Sequence, residues 1–88
     1  MARGVRFAPN AWDDFLAWAE DPDTFGRIAS LINECRREPF KGIGKPEALK
    51  HDQRGLWSRR ITEKHRLVYG VTASDILVMR CKGHYDDK

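Results

Sequence analysis

Residues of three kinds, in the middle and at the end of the chain, are the types that metal-free RNA cleavage requires. That reaction needs a base to take the proton of the 2′-hydroxyl, an acid to protonate the departing 5′-oxygen, and cations to stabilise the pentavalent phosphorane. The carboxylate Glu47 stands in a basic loop, and His84 stands near the C-terminus. Arginines occupy positions 54, 59, 60 and 66. Residue types alone do not establish the activity, because any basic domain contains a few of them.

The positive charge of the chain is concentrated in its middle third. The 88 residues carry a net charge of +3 at pH 7, but residues 1–35 are net −3, residues 36–66 are net +6 and residues 67–88 are balanced. A concentration of this kind indicates an anionic partner. With 41% hydrophobic residues the chain has enough apolar material for one packed core, so we predict a single domain over residues 1–88.

The cysteines and the hydropathy pattern exclude several classes of protein. Cys35 and Cys81 are too few for a disulfide framework, and neither a signal peptide nor an apolar run of about 18–20 residues is present. We therefore expect a cytoplasmic protein with no membrane partner. The histidines and cysteines show no metal-ligand spacing, so neither a metal nor another cofactor is expected.

The N-terminal half predicts a strand followed by two helices. Arg3–Ala8 alternates like a short strand, which Pro9 ends. Asn10 is the predicted N-cap of a first helix, whose apolar stripe is Trp12, Phe15, Leu16 and Ala19. Asp21 and Pro22 begin a second helix that ends at Glu38–Pro39, with the stripe Phe25, Ile28, Leu31, Ile32 and Cys35.

The second half predicts a loop and then a sheet. Phe40–Gly55 is rich in Lys and Gly and is interpreted as a long basic loop with at most a short strand around Ala48–Lys50. Three strand-like runs follow, at Leu56–Thr62, Arg66–Thr72 and Ile76–Lys82. The predicted fold class is α+β, with two helices packed on an antiparallel sheet of about four to five strands.

Alternation along the last two strands predicts which side chains meet the helices. The predicted inward set is Leu67, Tyr69, Val71, Leu77, Met79 and Cys81. The predicted outward set is Arg66, Val68, Ile76, Val78, Arg80, Lys82 and, if the strand continues, His84. Basic residues and a histidine are therefore expected on the face away from the core.

Several short motifs of the sequence closely resemble those of the YoeB/Txe family of toxins in type II toxin–antitoxin systems, within the RelE/ParE superfamily. The matching segments, in order, are Lys45-Pro46-Glu47, Leu49-Lys50-His51, Trp57 to Glu63, His65 to Tyr69, and His84-Tyr85. The N-terminal half agrees more loosely, through Trp12-Asp13-Asp14 and Arg36-Arg37. The resemblance therefore covers essentially the whole chain.

The resemblance implies a RelE-like fold, similar to microbial ribonucleases, and an endoribonuclease that cuts messenger RNA in the ribosomal A site. By position, Glu47 falls on the family's general base, Arg66 on its transition-state arginine and His84 on its general acid, with Tyr85 beside it. The residues that fall on phosphate or ribosomal RNA contacts are Lys45, Lys50, Arg59 and Arg60. The implied partners are messenger RNA on the 70S ribosome and an antitoxin of the YefM/Phd type. Self-association into a homodimer is left open.

A non-catalytic function is the alternative hypothesis. A basic module can block translation by occupancy alone, and the related ParE toxins have a similar fold but poison DNA gyrase. Individual residues leave alternatives of the same kind. Trp57 belongs either to the core or to the substrate surface, His51 makes a loop contact or touches RNA, and Tyr85 stacks on a nucleotide or does not.

Overall fold

The structure, a computed structural model, describes residues 2–83 of the chain. Within these residues, two α-helices precede most of a five-stranded sheet. The strands are β1 (Gly4–Phe7), β2 (Glu47–Ala48), β3 (Trp57–Arg60), β4 (Arg66–Val71) and β5 (Asp75–Arg80), and the helices are α1 (Pro9–Ala17) and α2 (Pro22–Cys35). Short 3₁₀ turns occur at Trp18–Glu20 and His51–Gln53. No helix in residues 2–83 is long and apolar enough to cross a membrane.

The sheet has the strand order β1-β5-β4-β3-β2, and the helices bury their apolar sides against one of its faces. The predicted α+β class is confirmed, but the sheet is mixed, because β1 pairs with β5 in parallel while the other pairs are antiparallel. The chain leaves β1 at one edge, passes through both helices and re-enters the sheet at the other edge. Side-chain alternation gives the faces of a strand and not its direction, so it does not reveal the parallel pair.

The helix starts agree with the sequence prediction for α2 and differ from it for α1. Asp21 caps α2 as predicted, since its Oδ1 accepts a hydrogen bond of 3.2 Å from the N–H of Thr24, and Pro22 is the first helical residue. Asn10 was the predicted N-cap of α1, but the cap is Ala8, and Pro9, which follows the end of β1, is the first helical residue. A proline loses nothing at this position, because the N–H that it lacks would have no partner within the helix.

The apolar stripe of α2 is buried as predicted, whereas that of α1 is rotated. Ile28, Leu31, Ile32 and Cys35 of α2 lie in the core. On α1 the fully buried residue is Ala11, and Trp12 and Leu16 are 45% and 51% exposed. The side of α1 that faces the core is therefore centred nearer Ala11 than the predicted stripe, and Trp12 and Leu16 lie partly in solvent.

A β-bulge in β5 shifts the alternation of that strand. Tyr69 of β4 pairs with Val78, but the preceding Val68 pairs with Arg80, so Met79 is an extra residue in β5. An extra residue on one strand displaces the period-two pattern of that strand by one position. Met79 is accordingly exposed at the surface, and Arg80 lies on the same face as Val68.

The predicted faces of β5 are therefore wrong before the bulge and right after it. Ile76 and Val78 are fully buried in the core, and Leu77 takes the opposite face, where it pairs with Gly70. Cys81, beyond the bulge, is buried as predicted. On β4, which has no extra residue, the predicted inward side chains Leu67 and Tyr69 are both fully buried.

Arg59 is buried, which contradicts the expectation that it contacts phosphate or ribosomal RNA. It pairs with Leu67 on the face of the sheet that the helices cover, and it is 0% exposed. All five of its N–H donors are used, so none remains for a phosphate. The acceptors are the Tyr69 hydroxyl, the Glu34 carboxylate and the backbone carbonyls of Glu38, Lys41 and Ile43. We call these six residues the Arg59 cluster.

The Arg59 cluster holds the segment between α2 and β2 against the core. The carboxylate of Glu34 also accepts the N–H of Ile43 at 2.6 Å, and the hydroxyl of Tyr69 donates to the carbonyl of Pro39 at 2.7 Å. Gly42 passes so close that a Cβ there would lie 1.9 Å from a carboxylate oxygen of Glu34. Its φ of 120° also requires glycine.

The titratable members of the cluster are in the protonation states that these hydrogen bonds require. The hydrogen bond from the Ile43 N–H, supported by Arg59, lowers the pKa of Glu34. Burial raises the pKa of Tyr69 to about 12, so its hydroxyl stays protonated and donates at neutral pH.

Replacing Arg59 with methionine should destabilise the fold strongly. The change leaves the Glu34 carboxylate and three backbone carbonyls without their donor, and leaving buried hydrogen-bond acceptors unsatisfied costs about 1–3 kcal/mol. The free energy of unfolding, measured by urea titration, should fall by that amount. The same substitution at Arg54, an exposed arginine in the basic loop, should change it by less than about 0.5 kcal/mol. Equal stability of the two variants would show that the cluster does not anchor the segment.

Candidate active site

A pocket of about 220 Å³ opens on the outer face of the sheet, the face turned away from the helices. Its wall is built by β2, β3, β4 and the residues just before β2. The lining residues are Lys45, Pro46, Glu47, Ser58, Arg60 and Arg66. Three cationic side chains therefore surround one carboxylate.

Strand pairing brings these residues together from distant parts of the chain. Glu47 on β2 pairs with Ser58 on β3, and Arg60 pairs with Arg66 on β4. Ser58 and Arg60 are two positions apart on one strand, so they share a face. The pairing therefore places the carboxylate and both arginines on the outer face, on the three neighbouring strands β2, β3 and β4.

Arg60 and Arg66 form a like-charge pair. Residues directly opposite each other in antiparallel strands have Cβ atoms about 5 Å apart, and like charges in this arrangement destabilise a sheet. No carboxylate in residues 2–83 forms an ion pair with Arg60, which is exposed. The two charges are best balanced by an anion that enters the pocket.

The guanidinium of Arg66 is fixed in place by the turn that precedes β4. Its Nη1 donates to the carbonyls of Thr62, Glu63 and His65 at 2.8, 3.1 and 3.2 Å. Within residues 2–83, Nε and Nη2 donate to no acceptor. The N–H of Arg66 donates to the carbonyl of Gly83 at 3.0 Å, so Arg66 is also tied to the end of the described chain.

Lys45 enters the pocket from a strained backbone. Its φ of 52° lies in the left-handed region, which residues other than glycine seldom adopt. Gly44 before it also has a positive φ, of 81°, and a Cβ at Gly44 would lie 2.7 Å from a side-chain carbon of Leu31. The chain thus turns sharply just before Glu47, and this turn places both side chains at the pocket.

The pocket contains four of the eight residues that the sequence singled out. Lys45, Glu47, Arg60 and Arg66 line it. Lys50 is exposed beside the second 3₁₀ turn and does not line the pocket, and Arg59 is buried beneath the opposite face. The remaining two, His84 and Tyr85, lie outside the described residues.

Sequence reasoning missed Pro46 and Ser58 as pocket residues. Ser58 stands two positions before Arg60, so alternation along β3 would have placed the two on one face.

Within residues 2–83, no group of three or more His, Cys, Asp or Glu side chains is arranged to hold a metal ion.

Comparison with known proteins identifies close relatives of the chain. A family model described as the YoeB-like toxin of bacterial type II toxin–antitoxin systems matches residues 7–85. Toxin YoeB of Escherichia coli (strain K12) is 51% identical over 80 residues, which cover 90% of this chain and 95% of that protein. The resemblance inferred from the sequence motifs is therefore confirmed.

Solved structures of related toxins share the fold. A YoeB/ParE toxin from Agrobacterium tumefaciens aligns with a TM-score of 0.89 at 42% identity, covering 93% of this chain and 99% of that chain. A YoeB–YefM complex from Staphylococcus aureus aligns with a TM-score of 0.86 at 36% identity, covering 97% of this chain and 100% of that chain. The expected RelE-like architecture is thus confirmed.

Inorganic phosphate should stabilise the chain by occupying the pocket between Arg60 and Arg66. A ligand that binds the folded state raises the melting temperature, and phosphate should do so more than chloride at equal ionic strength. Arg60→Gln should relieve the like-charge pair, raise the free energy of unfolding by about 0.2–1 kcal/mol and reduce the response to phosphate. Arg54→Gln, which changes an arginine outside the pocket, is the control for nonspecific effects of phosphate. The proposed phosphate site is contradicted if Arg60→Gln, like this control, responds to phosphate as the parent does in thermal unfolding.

Proposed function

The chain belongs to the YoeB-like toxins of bacterial type II toxin–antitoxin systems, and on that premise we propose that it is a ribosome-dependent endoribonuclease that cuts messenger RNA in the ribosomal A site. The observation that carries the proposal is the pocket in which Glu47 meets Lys45, Arg60 and Arg66. A carboxylate among cations supplies a base next to sites for phosphate, as the reaction requires. Cleavage of messenger RNA in this way stops translation.

Glu47 is the proposed general base. Its carboxylate accepts the proton of the 2′-hydroxyl, and the resulting oxygen nucleophile attacks the adjacent phosphorus. The bond to the 5′-oxygen then breaks, and that oxygen takes a proton from His84, the proposed general acid. The products are a 2′,3′-cyclic phosphate and a 5′-hydroxyl.

Arg66 is the proposed stabiliser of the phosphorane. Because the turn carbonyls hold Nη1, the remaining Nε and Nη2 donors form a fixed fork that suits two phosphate oxygens. Arg60, opposite Arg66, adds a second cation where negative charge develops. The cost of holding two arginines together in the free protein is offset when the phosphorane forms.

The other predicted residues serve binding in this proposal. Lys45, whose strained backbone places it in the pocket, contacts the phosphate on the 5′ or 3′ side of the cut. Lys50 is exposed and binds the phosphates of messenger or ribosomal RNA. Tyr85 follows the general acid in the sequence and supports it.

The ribosome supplies the positioning that the pocket lacks. A pocket of about 220 Å³ with polar and charged walls suits a phosphate and part of a ribose, and within residues 2–83 its lining includes no aromatic side chain for a base. In this proposal the decoding site of a ribosome, which holds messenger nucleotides in fixed positions, keeps the messenger in a reactive geometry.

Removing the base should abolish most of the activity. On 70S ribosomes carrying a defined messenger, Glu47→Gln should cleave about 10²–10⁴-fold more slowly than the parent, because a general base contributes that factor. Glu20→Gln, which changes an exposed glutamate of the first 3₁₀ turn, should cleave at the parent rate. A messenger with a 2′-deoxynucleotide at the cut site should resist the parent.

The result that contradicts the proposal is full cleavage by Glu47→Gln. Arrest of translation with no new messenger ends, by parent and variant alike, would favour the alternative of a toxin that acts by occupancy. Measurement of ends by primer extension separates the two outcomes.

We also propose that an antitoxin of the YefM type neutralises this chain, as the complex of the S. aureus relative suggests. An acidic antitoxin segment is attracted to the net +6 middle third. Co-expression should restore growth and suppress cleavage, and the affinity should fall as salt is raised, because exposed charges are screened. An antitoxin truncated to remove its acidic segment is the control. Failure of intact YefM-type antitoxins to restore growth would contradict the proposal.

A further inference from the structure

The segment that follows β5 makes three hydrogen bonds to two separate parts of the chain. Nε1 of Trp18, in the first 3₁₀ turn, donates to the carbonyl of Cys81 at 2.8 Å. The N–H of Gly83 donates to Nδ1 of His65 at 2.8 Å, and the carbonyl of Gly83 accepts from the N–H of Arg66 at 3.0 Å. Gly83 is therefore hydrogen-bonded on both sides, to His65 and to Arg66, the first residue of β4.

The side chain of His65 is itself held in a fixed orientation. Its ring meets the ring of Trp18 edge to face, with centroids 4.9 Å apart and planes at 78°. Its backbone carbonyl accepts from the N–H groups of Ile61 and Thr62, which closes the turn between β3 and β4. The position of Nδ1 is thus determined by a packed ring and by a hydrogen-bonded turn.

We propose that His65 is a positioning residue that fixes Gly83, and with it the start of the segment carrying His84, relative to Arg66. The inference rests on the proposed function, in which His84 is the general acid. His65 acts as a hydrogen-bond acceptor, because Nδ1 receives the Gly83 N–H and so carries no proton. In this role it acts through the backbone of Gly83.

The role matters because a general acid works only within hydrogen-bond reach of the leaving oxygen. The carbonyl of Gly83 ties the segment to the backbone of Arg66, and the N–H of the same residue ties it to His65. Loss of the second bond leaves Gly83 free to rotate about the first. A displacement of about 1 Å in a catalytic group costs on the order of 10²-fold in rate.

Three substitutions separate a positioning role from a purely structural one. His65→Leu removes the acceptor, whereas His65→Asn keeps an amide oxygen close to the position of Nδ1. Trp18→Phe removes the donor to Cys81 but keeps an aromatic ring against His65. Ile32→Ala is the control for stability, because it opens a cavity in the core on α2, beside Phe7 and Phe15 and away from the segment.

Single-turnover cleavage on 70S ribosomes, with toxin concentration varied, measures the maximal rate and the half-saturating concentration separately. His65→Leu should lower the maximal rate about 10- to 100-fold, with the half-saturating concentration within about 2-fold of the parent. His65→Asn should recover most of that loss, and Trp18→Phe should show a smaller loss of the same kind. Ile32→Ala, assayed well below its melting temperature, should cleave at the parent rate.

A readout that is independent of activity tests the geometry. Amide hydrogen exchange at Gly83, followed by NMR, should be slow in the parent and in His65→Asn and faster in His65→Leu. Exchange that is equally slow in His65→Leu would overturn the inference, and so would cleavage by His65→Leu at the parent rate while Glu47→Gln stays inactive. That second pattern leaves the proposed function intact. Full activity of Glu47→Gln would instead overturn the proposed function and this inference together.

Discussion

The position of the pocket depends on the buried guanidinium of Arg59. β2 is two residues long and pairs with β3 alone, so the strand by itself cannot fix Glu47. The segment that leads into it is fixed by the Arg59 cluster, whose carbonyls at Glu38, Lys41 and Ile43 converge on one side chain. A residue on the covered face of the sheet therefore determines where a carboxylate on the outer face lies.

Two adjacent arginines on β3 have different roles because side chains alternate between the two faces of the sheet. Arg59 points into the core, where every donor has an acceptor and the charge is paired with Glu34 at 3.0 Å. Arg60 points to the outer face, where its neighbour across the strands is Arg66. Buried charge is tolerated because it is fully hydrogen-bonded, and the like-charge pair is tolerated because Arg60 is exposed and its charge is screened. One residue thus stabilises the fold, and the next prepares the surface for an anion.

Much of the fold could be predicted from sequence because its determinants are local. Asp21 and Pro22 begin α2 as their chemistry requires, and the buried stripe of α2 follows helical spacing. The bulge at Met79 could not be predicted, since an extra residue leaves no mark in the composition of a strand. Alternation along β3 places Arg59 and Arg60 on opposite faces, but it cannot decide which of them is buried. That choice depends on acceptors contributed by α2 and the segment after it, which are remote in sequence.

The same limit applies to the pocket, and it explains why the resemblance was needed. A glutamate in a basic loop is in most proteins a solvated ion-pair partner, and nothing local distinguishes Glu47 from Asp52 or Glu63 in the same stretch. What distinguishes it is the pairing of β2 with β3 and of β3 with β4, which sets Lys45, Arg60 and Arg66 around it. Such a concentration of positive charge is unfavourable in the free chain and becomes favourable when an anion arrives. An RNA phosphate and an acidic antitoxin segment both carry the negative charge that balances these cations. The same group of cations therefore favours binding of the substrate and of an acidic inhibitor.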